Sequence, residues 1–195
     1  MMNFKNPVHI LIIFSFLLCI SCAETKKENT NDKLLAQADV LSKEEKTPTI
    51  IELISTDIGF EKLNELIQTT DFTTKFEKEG PYTIFAPLNG AINKLSPKML
   101  DDLKKPENAA ELTKIINCHI IPGLINKQDI ITAINENGGS VKLKTLGGTK
   151  LIASMKSGRI YLIDKTGNAG RLMVNDIEAT NGIIHTIESV MMPKN

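Results

Sequence analysis

The sequence contains no tryptophan, and only two tyrosines and seven phenylalanines in 195 residues. A carbohydrate platform built from stacked aromatic faces is therefore poorly supplied. The net charge is zero, with 23 basic and 23 acidic side chains, which leaves no basic excess of the kind nucleic acid demands. Gly-x-Ser-x-Gly, phosphate-loop, dinucleotide and His-Glu-x-x-His patterns are all missing. Asp101-Asp102 is the one carboxylate pair that stands out, and beside Lys104 and Lys105 it reads as a solvated helix face. Histidine is scarce: His9 lies in an apolar leader, which leaves His119 and His185. With Cys118 they could supply three zinc ligands, but no Cys-x-x-Cys or His-x-x-x-His spacing supports it, and adjacent strand residues point apart. Buried, hydrogen-bonded imidazoles that pin a strand are the plainer expectation. Cys118 as a nucleophile would need a lowered pKa and an oriented base. His119 is adjacent, but nothing supplies the third group, so a small buried hydrophobe is expected. The sequence thus implies no metal, no cofactor and no enzyme.

What is present begins with a leader. Lys5 precedes the apolar run Val8–Leu18, too short for ~30 Å of hydrocarbon and suited to a signal peptide. Ser21 before Cys22 resembles a bacterial lipobox, with Cys19 and Leu18 upstream. That resemblance implies Cys22 as the lipid attachment site; an ordinary secretory peptide or a short anchor helix is the alternative. Each acyl CH₂ contributes ~0.8 kcal/mol to membrane binding, so several chains hold durably. Cleavage and acylation would leave Cys118 as the one free thiol, so the domain must rely on its core, not on disulfides. Residues 22–47 are rich in Lys, Glu, Asn and Thr and read as a polar tether reaching roughly 25–30 Å if coil. The expected organisation is a signal peptide over 1–21, the tether over 22–47 and a globular domain over 48–195.

Helical spacing then recurs. Ile50, Ile51, Ile54 and Ile58 fit a short helix; Phe60, Leu63, Leu66 and Ile67 fit a second, with Asp57 as cap. Phe72 and Phe76 continue to Gly80. Gly80-Pro81 leads into a strand ending at Pro87, with Tyr82, Ile84 and Ala86 on one side. Asn89 is expected to cap the helix that follows, and Ser96-Pro97 starts another. A helix over 107–117 precedes Cys118-His119-Ile120-Ile121-Pro122-Gly123, and Asn126 caps one that ends at Asn137-Gly138-Gly139. The period then changes to two. Strands are expected over 140–146, 150–155, 159–164 and 172–179, with 165–170 an exposed loop. Finally, Asn181-Gly182 turns into a strand stopped by Pro193. It carries Ile183, His185, Ile187 and Met191 on one face, and Ile184, Thr186, Glu188 and Val190 on the other. Helices first and strands later indicate an α+β domain.

Three segments resemble the signatures of fasciclin domains. Thr83, Phe85, Ala86, Pro87, Asn89 and Ala91 match the first, where Leu88 and Ile92 replace Thr and Phe. His119, Pro122 and Gly123 match the central Tyr-His segment, with Cys118 in place of the tyrosine. Residues 176–185, including Asn181, Gly182 and His185, match the last. Asn126–Ile131 is similar to a short adhesion sequence of animal members, interrupted by Gln128. The resemblance covers roughly 49–193 and implies a helical layer on a wedge-shaped β-sandwich of mostly antiparallel strands.

It also implies a non-enzymatic role in cell adhesion or extracellular binding, with a protein or polysaccharide partner and the acyl chains holding the membrane. The expected location is a bacterial envelope, on the outer rather than the inner membrane, facing either side. The alternative is a periplasmic or surface binding protein for a small apolar ligand or lipid, held between helices and sheet.

Overall fold

The computed structural model describes residues 47–193, apart from 71, 74, 75 and 77–79. The chain divides into Met1–Glu44 and Glu45–Asn195, and the second unit is the one described. The leader, Cys22 and nearly all of the expected tether lie outside the described residues. No helix among the described residues is long and apolar enough to cross a membrane.

Two four-stranded sheets and a set of short helices make up the domain. The helices are α1 (Ile50–Thr56), α2 (Glu61–Gln68), α3 (Asn89–Ile92), α4 (Pro97–Leu103), α5 (Ala109–Cys118) and α6 (Lys127–Glu136). The strands are β1 (Tyr82–Pro87), β2 (Ile120–Pro122), β3 (Ser140–Lys144), β4 (Lys150–Lys156), β5 (Arg159–Ile163), β6 (Ala169–Arg171), β7 (Ile177–Ala179) and β8 (Gly182–Ile187). The first sheet runs β2-β1-β8-β7; the second is the antiparallel meander β3-β4-β5-β6. One pairing is parallel, β1 with β8, in a register that sets Phe85 beside His185. The expected α+β class and mostly antiparallel sheets are what the structure has.

Local chemistry explains most helix starts. Thr49 and Glu52 form a capping box on α1, with Thr49 N donating to Glu52 Oε2 at 2.6 Å. Ser96 accepts from Met99 N at 3.2 Å and Asn126 from Asp129 N at 2.9 Å. Asp57 accepts from Gly59 N at 2.7 Å, but it caps the 3-10 turn Ile58–Phe60 that precedes α2 and not α2 itself. The expected cap at Asn89 is different. Asn89 is the first residue of α3, and its Oδ1 accepts from Lys62 N at 3.0 Å while Nδ2 donates to Ile58 O at 2.7 Å. It serves α2, a helix distant in sequence, because the first turn of α2 has no side-chain cap of its own.

The first sheet has a core on each face. Tyr82, Ile84, Ala86, Ile184 and Val190 pack against the helices, while Phe85, Ile121, Ile187 and Met191 pack against α6 and the second sheet. All six residues of β1 are buried. The two faces of β8 divide by parity as expected, but both are buried, and the strand stops at Ile187 well short of Pro193.

Two strand expectations fail. The run over 172–179 is not one strand. Residues 171–174 bond the end of β8, with Met173 N to Thr186 O at 2.8 Å and Thr186 N to Val174 O at 2.7 Å, and β7 bonds its start. Between them Asn175 and Asp176 break the ladder, with Asp176 at φ 57°. Asp tolerates that left-handed conformation better than most residues. The loop expected over 165–170 is a tight turn. Asp164 Oδ1 accepts from Thr166 N, Thr166 Oγ1 and Asn168 N at 2.6–3.0 Å, and β6 begins at Ala169.

Gly182 is where β8 meets β1 and α1. A Cβ there would fall on Tyr82 O and lie 2.5 Å from Ile50 Cδ1. Gly182→Ala should therefore cost about 3 kcal/mol or more of unfolding free energy. Gly90→Ala, on α3 with nothing within 4 Å of the added methyl, should be neutral or stabilise by up to ~1 kcal/mol. Paired urea melts check the contrast, and equal midpoints would contradict the close approach.

Candidate functional site

The signature residues converge on the interior. His185 is fully buried on β8, with its ring 5.4 Å from that of Phe85 and stacked at 25°. Its Nε2 donates to Ile125 O at 2.8 Å, so Nδ1 is the free acceptor and takes Asp176 N–H at 3.2 Å. The imidazole therefore fills the gap at the Asn175-Asp176 break, taking the Asp176 N–H while Thr186 Oγ1 takes that of Val174 at 2.8 Å. Burial lowers its pKa, against the opposing pull of Ile125 O and of Asp176, whose Oδ1 is 3.8 Å away.

His119 closes α5 and uses the opposite tautomer. Its Nδ1 donates to Ile115 O at 2.8 Å, and Nε2 accepts from Met191 N at 2.9 Å. Burial holds the pKa at about 4. Asp164, whose side-chain role gave no motif in sequence, completes this clamp: its Oδ2 accepts from Met192 N at 2.8 Å, and Asn168 Nδ2 donates to Val190 O at 2.8 Å. The chain beyond β8 is thus held by side chains where no ladder continues.

Asn181 ties three segments. Its Oδ1 accepts from Ile50 N at 2.9 Å, Nδ2 donates to Phe76 O at 2.8 Å, and its carbonyl accepts from Tyr82 N at 3.0 Å. Pro122 ends β2 opposite Tyr82. Gly123 turns at φ 97°, a conformation that suits glycine, and its carbonyl accepts from the buried Thr83 hydroxyl at 2.7 Å. The same Thr83 oxygen accepts from Ile125 N at 2.8 Å. His119, Pro122, Gly123, Asn181, Gly182 and His185 therefore lie along one connected scaffold and do not form one open pocket.

Cys118 is wholly buried, and desolvation pushes its thiol up, against a Thr149 hydrogen bond that lowers it. His119 is not poised to deprotonate it, because both ring nitrogens already have backbone partners. Among the described residues, no three or more His, Cys, Asp or Glu side chains are grouped to hold a metal ion. In the adhesion-like stretch, Ile130 is buried and Ile131 packs partly on the same core, while Lys127, Gln128 and Asp129 are exposed.

The rings set a pH dependence. An unfolded His119 titrates near 6.5, and the folded one at about 4. Its contribution is complete above pH 6.5, declines as pH falls from 6.5 to 4 because the unfolded chain takes the proton first, and is level below. The loss is roughly 3 kcal/mol. Chemical denaturation from pH 7 to 4 should show this slope, and His119→Asn should flatten it; an unchanged slope would exclude a neutral buried ring. Cys118 should react with iodoacetamide at least ~100-fold more slowly in the native chain than in urea, read by peptide mass spectrometry. Equal rates would restore a reactive thiol.

The Fasciclin domain family profile matches residues 59–193. Protein sll1483 of Synechocystis sp. is 32% identical over 145 residues, 74% of this chain and 73% of that protein. The transforming growth factor-beta-induced protein ig-h3 of Sus scrofa is 34% identical over 145 residues, which span 19% of its own length. Immunogenic protein MPB70 of Mycobacterium bovis is 30% identical over 58% of this chain and 51% of its own. The chain thus spans about a fifth of ig-h3 and about half of MPB70. Among solved structures, a FAS1 domain pair from the insect cell adhesion molecule Fasciclin I superposes at TM-score 0.67, with 19% identity over 75% of this chain and 51% of that one. The chain belongs to the fasciclin-domain family.

Proposed function

We propose that the protein is a non-enzymatic, lipid-anchored component of a bacterial envelope that presents one fasciclin domain for adhesion or extracellular binding. The observation that carries the reading is the state of its chemically capable side chains. His119 and His185 have both ring nitrogens engaged by backbone, and Cys118 is buried with a raised pKa. A domain whose nucleophile and bases are occupied internally acts through its surface. The insect relative in which this fold occurs is described as a cell adhesion molecule. Cys22, after Ser21 and an apolar leader, supplies the anchor, and the polar stretch that follows supplies the reach.

A second reading, a receptor for a small apolar ligand, draws on one observation. An almost wholly apolar cavity of about 40 Å³ lies between the helices and the first sheet, bordered by Ile54, Phe72, Ile84, Leu112 and Ile116. It is smaller than the ~150 Å³ that holds benzene in an engineered cavity, so an acyl chain would require the helices to part. Mass spectra of protein purified from its own host decide between the two: a stoichiometric bound lipid would favour the receptor.

The anchor is tested by metabolic labelling with a palmitate analogue. Labelling of the native chain and its loss in Cys22→Ser are expected; equal labelling of both would reject the lipid attachment.

A further inference from the structure

Among the described residues, the buried side-chain atoms left with unmet hydrogen bonding are all at one place. An open cleft of about 260 Å³ lies where β5, β6 and the start of α6 meet, and its border includes Lys127, Arg159, Arg171, Met173 and Asn175. Two buried side-chain atoms of the described residues have no hydrogen-bond partner, Arg171 Nε and Asn175 Oδ1, and both belong to residues of this cleft. Buried polar atoms of native proteins are almost always satisfied, by protein, water or ligand. Arg171 Nε has the Glu188 carboxylate at 3.5 Å, an ion pair without hydrogen-bond geometry. The Asn175 amide is oriented by its Nδ2, which donates to Met173 O at 3.2 Å, so Oδ1 is the free acceptor. Among the described residues, the Lys127 ammonium and the Arg159 guanidinium form no ion pair, and the nearby Asp176 carboxylate takes the backbone N–H of Lys127 at 2.7 Å.

We propose that this cleft binds an acidic sugar unit, a hydroxylated carboxylate of the uronate type within an extracellular polysaccharide. The three cations on its border call for an anion that accepts. The Asn175 amide on the same border favours a ligand with hydroxyls as well, and a ring hydroxyl beside a carboxylate supplies both. The volume is close to the low end of the ~300–1,000 Å³ usual for small-molecule sites, room for one sugar ring with its neighbours in solvent. Recognition by charge and hydrogen bonds also fits a chain without tryptophan, in which aromatic rings for stacking are scarce. Met173, 40% exposed, supplies an apolar edge for the ring face. The inference deepens the extracellular-binding reading by giving it a partner class, and it rests on that reading for where the sugar is met.

The test is calorimetry on the full chain in detergent with oligogalacturonate. Binding with a Kd of about 1 mM or tighter is expected, weakening as salt rises. Arg159→Gln and Arg171→Gln should each weaken it about tenfold, and Asn175→Leu comparably. Glu188→Gln should strengthen it about threefold, because it releases Arg171. That opposite sign separates recognition from misfolding, and circular dichroism confirms each variant. No binding of oligogalacturonate, binding unchanged in all four variants, or equally tight binding of neutral dextran would overturn the proposal. Inorganic phosphate binding as tightly as the uronate would also overturn it, leaving a bare anion site. Failure of palmitate labelling at Cys22 would remove the anchor and leave this result standing, so the two claims fail separately.

Discussion

The structure depends on closing the backbone of a strand that is buried on both faces and interrupted along one edge. β8 pairs in parallel with β1 on one side, but its other neighbour breaks at Asn175-Asp176. An N–H left unpaired inside a protein costs ~1–3 kcal/mol. The His185 ring accepts that N–H and passes the constraint on through Nε2 to Ile125. Ile125 is also held by Thr83 from β1, so the loop ahead of α6, the bulge and both central strands share one hydrogen-bond circuit. Neither face of β8 can shift without unpairing one of these groups.

The same solution is used at the other end of the strand. Past Glu188, whose N–H still bonds Arg171 O, His119, Asp164 and Asn168 take the polar groups of Val190, Met191 and Met192. The two imidazoles are opposite tautomers, each donating to a carbonyl and accepting from an amide. Only neutral rings can do both, and burial keeps them neutral by lowering their pKa values, against the carbonyls of Ile115 and Ile125, which pull the other way. Residues that in sequence could suggest a catalytic pair are thereby committed to holding a terminus and a bulge.

What could be read from the sequence was local. Ser96 and Asn126 cap as their positions imply, because a cap is a contact across three residues. Asn89 offered the same signal and caps a different helix, a partner 27 residues away that local spacing does not reveal. The stretch 172–179 carries apolar residues at strand spacing, and these outweighed Asn175-Asp176, although both residues favour turns. Asp164 falls at the end of a strand pattern, which does not reveal that its carboxylate organises the turn after it. The buried histidine of β8 followed from parity, while its partners Ile125 and Asp176 did not. Lys127, Arg159 and Arg171 stand on three elements, and nothing in their sequence neighbourhoods predicts that they border one cleft.

That separation bears on what family membership can say about this chain. The residues that carry the fasciclin resemblance are scaffold: they position backbone and leave few atoms free to meet another molecule. Resemblance in them transmits the architecture, and a partner must be recognised by other side chains. The scaffold nonetheless reaches the surface at one point. Asp176, whose N–H the His185 ring holds, accepts Lys127 N–H on its Oδ1 at 2.7 Å. Lys127 and Asn175, the neighbour of Asp176, both border the basic cleft. The bulge that the buried imidazole satisfies is therefore also what aligns the start of α6 with the strand beside it, so a fault in the ring's hydrogen bonding would be felt first in the geometry of that cleft.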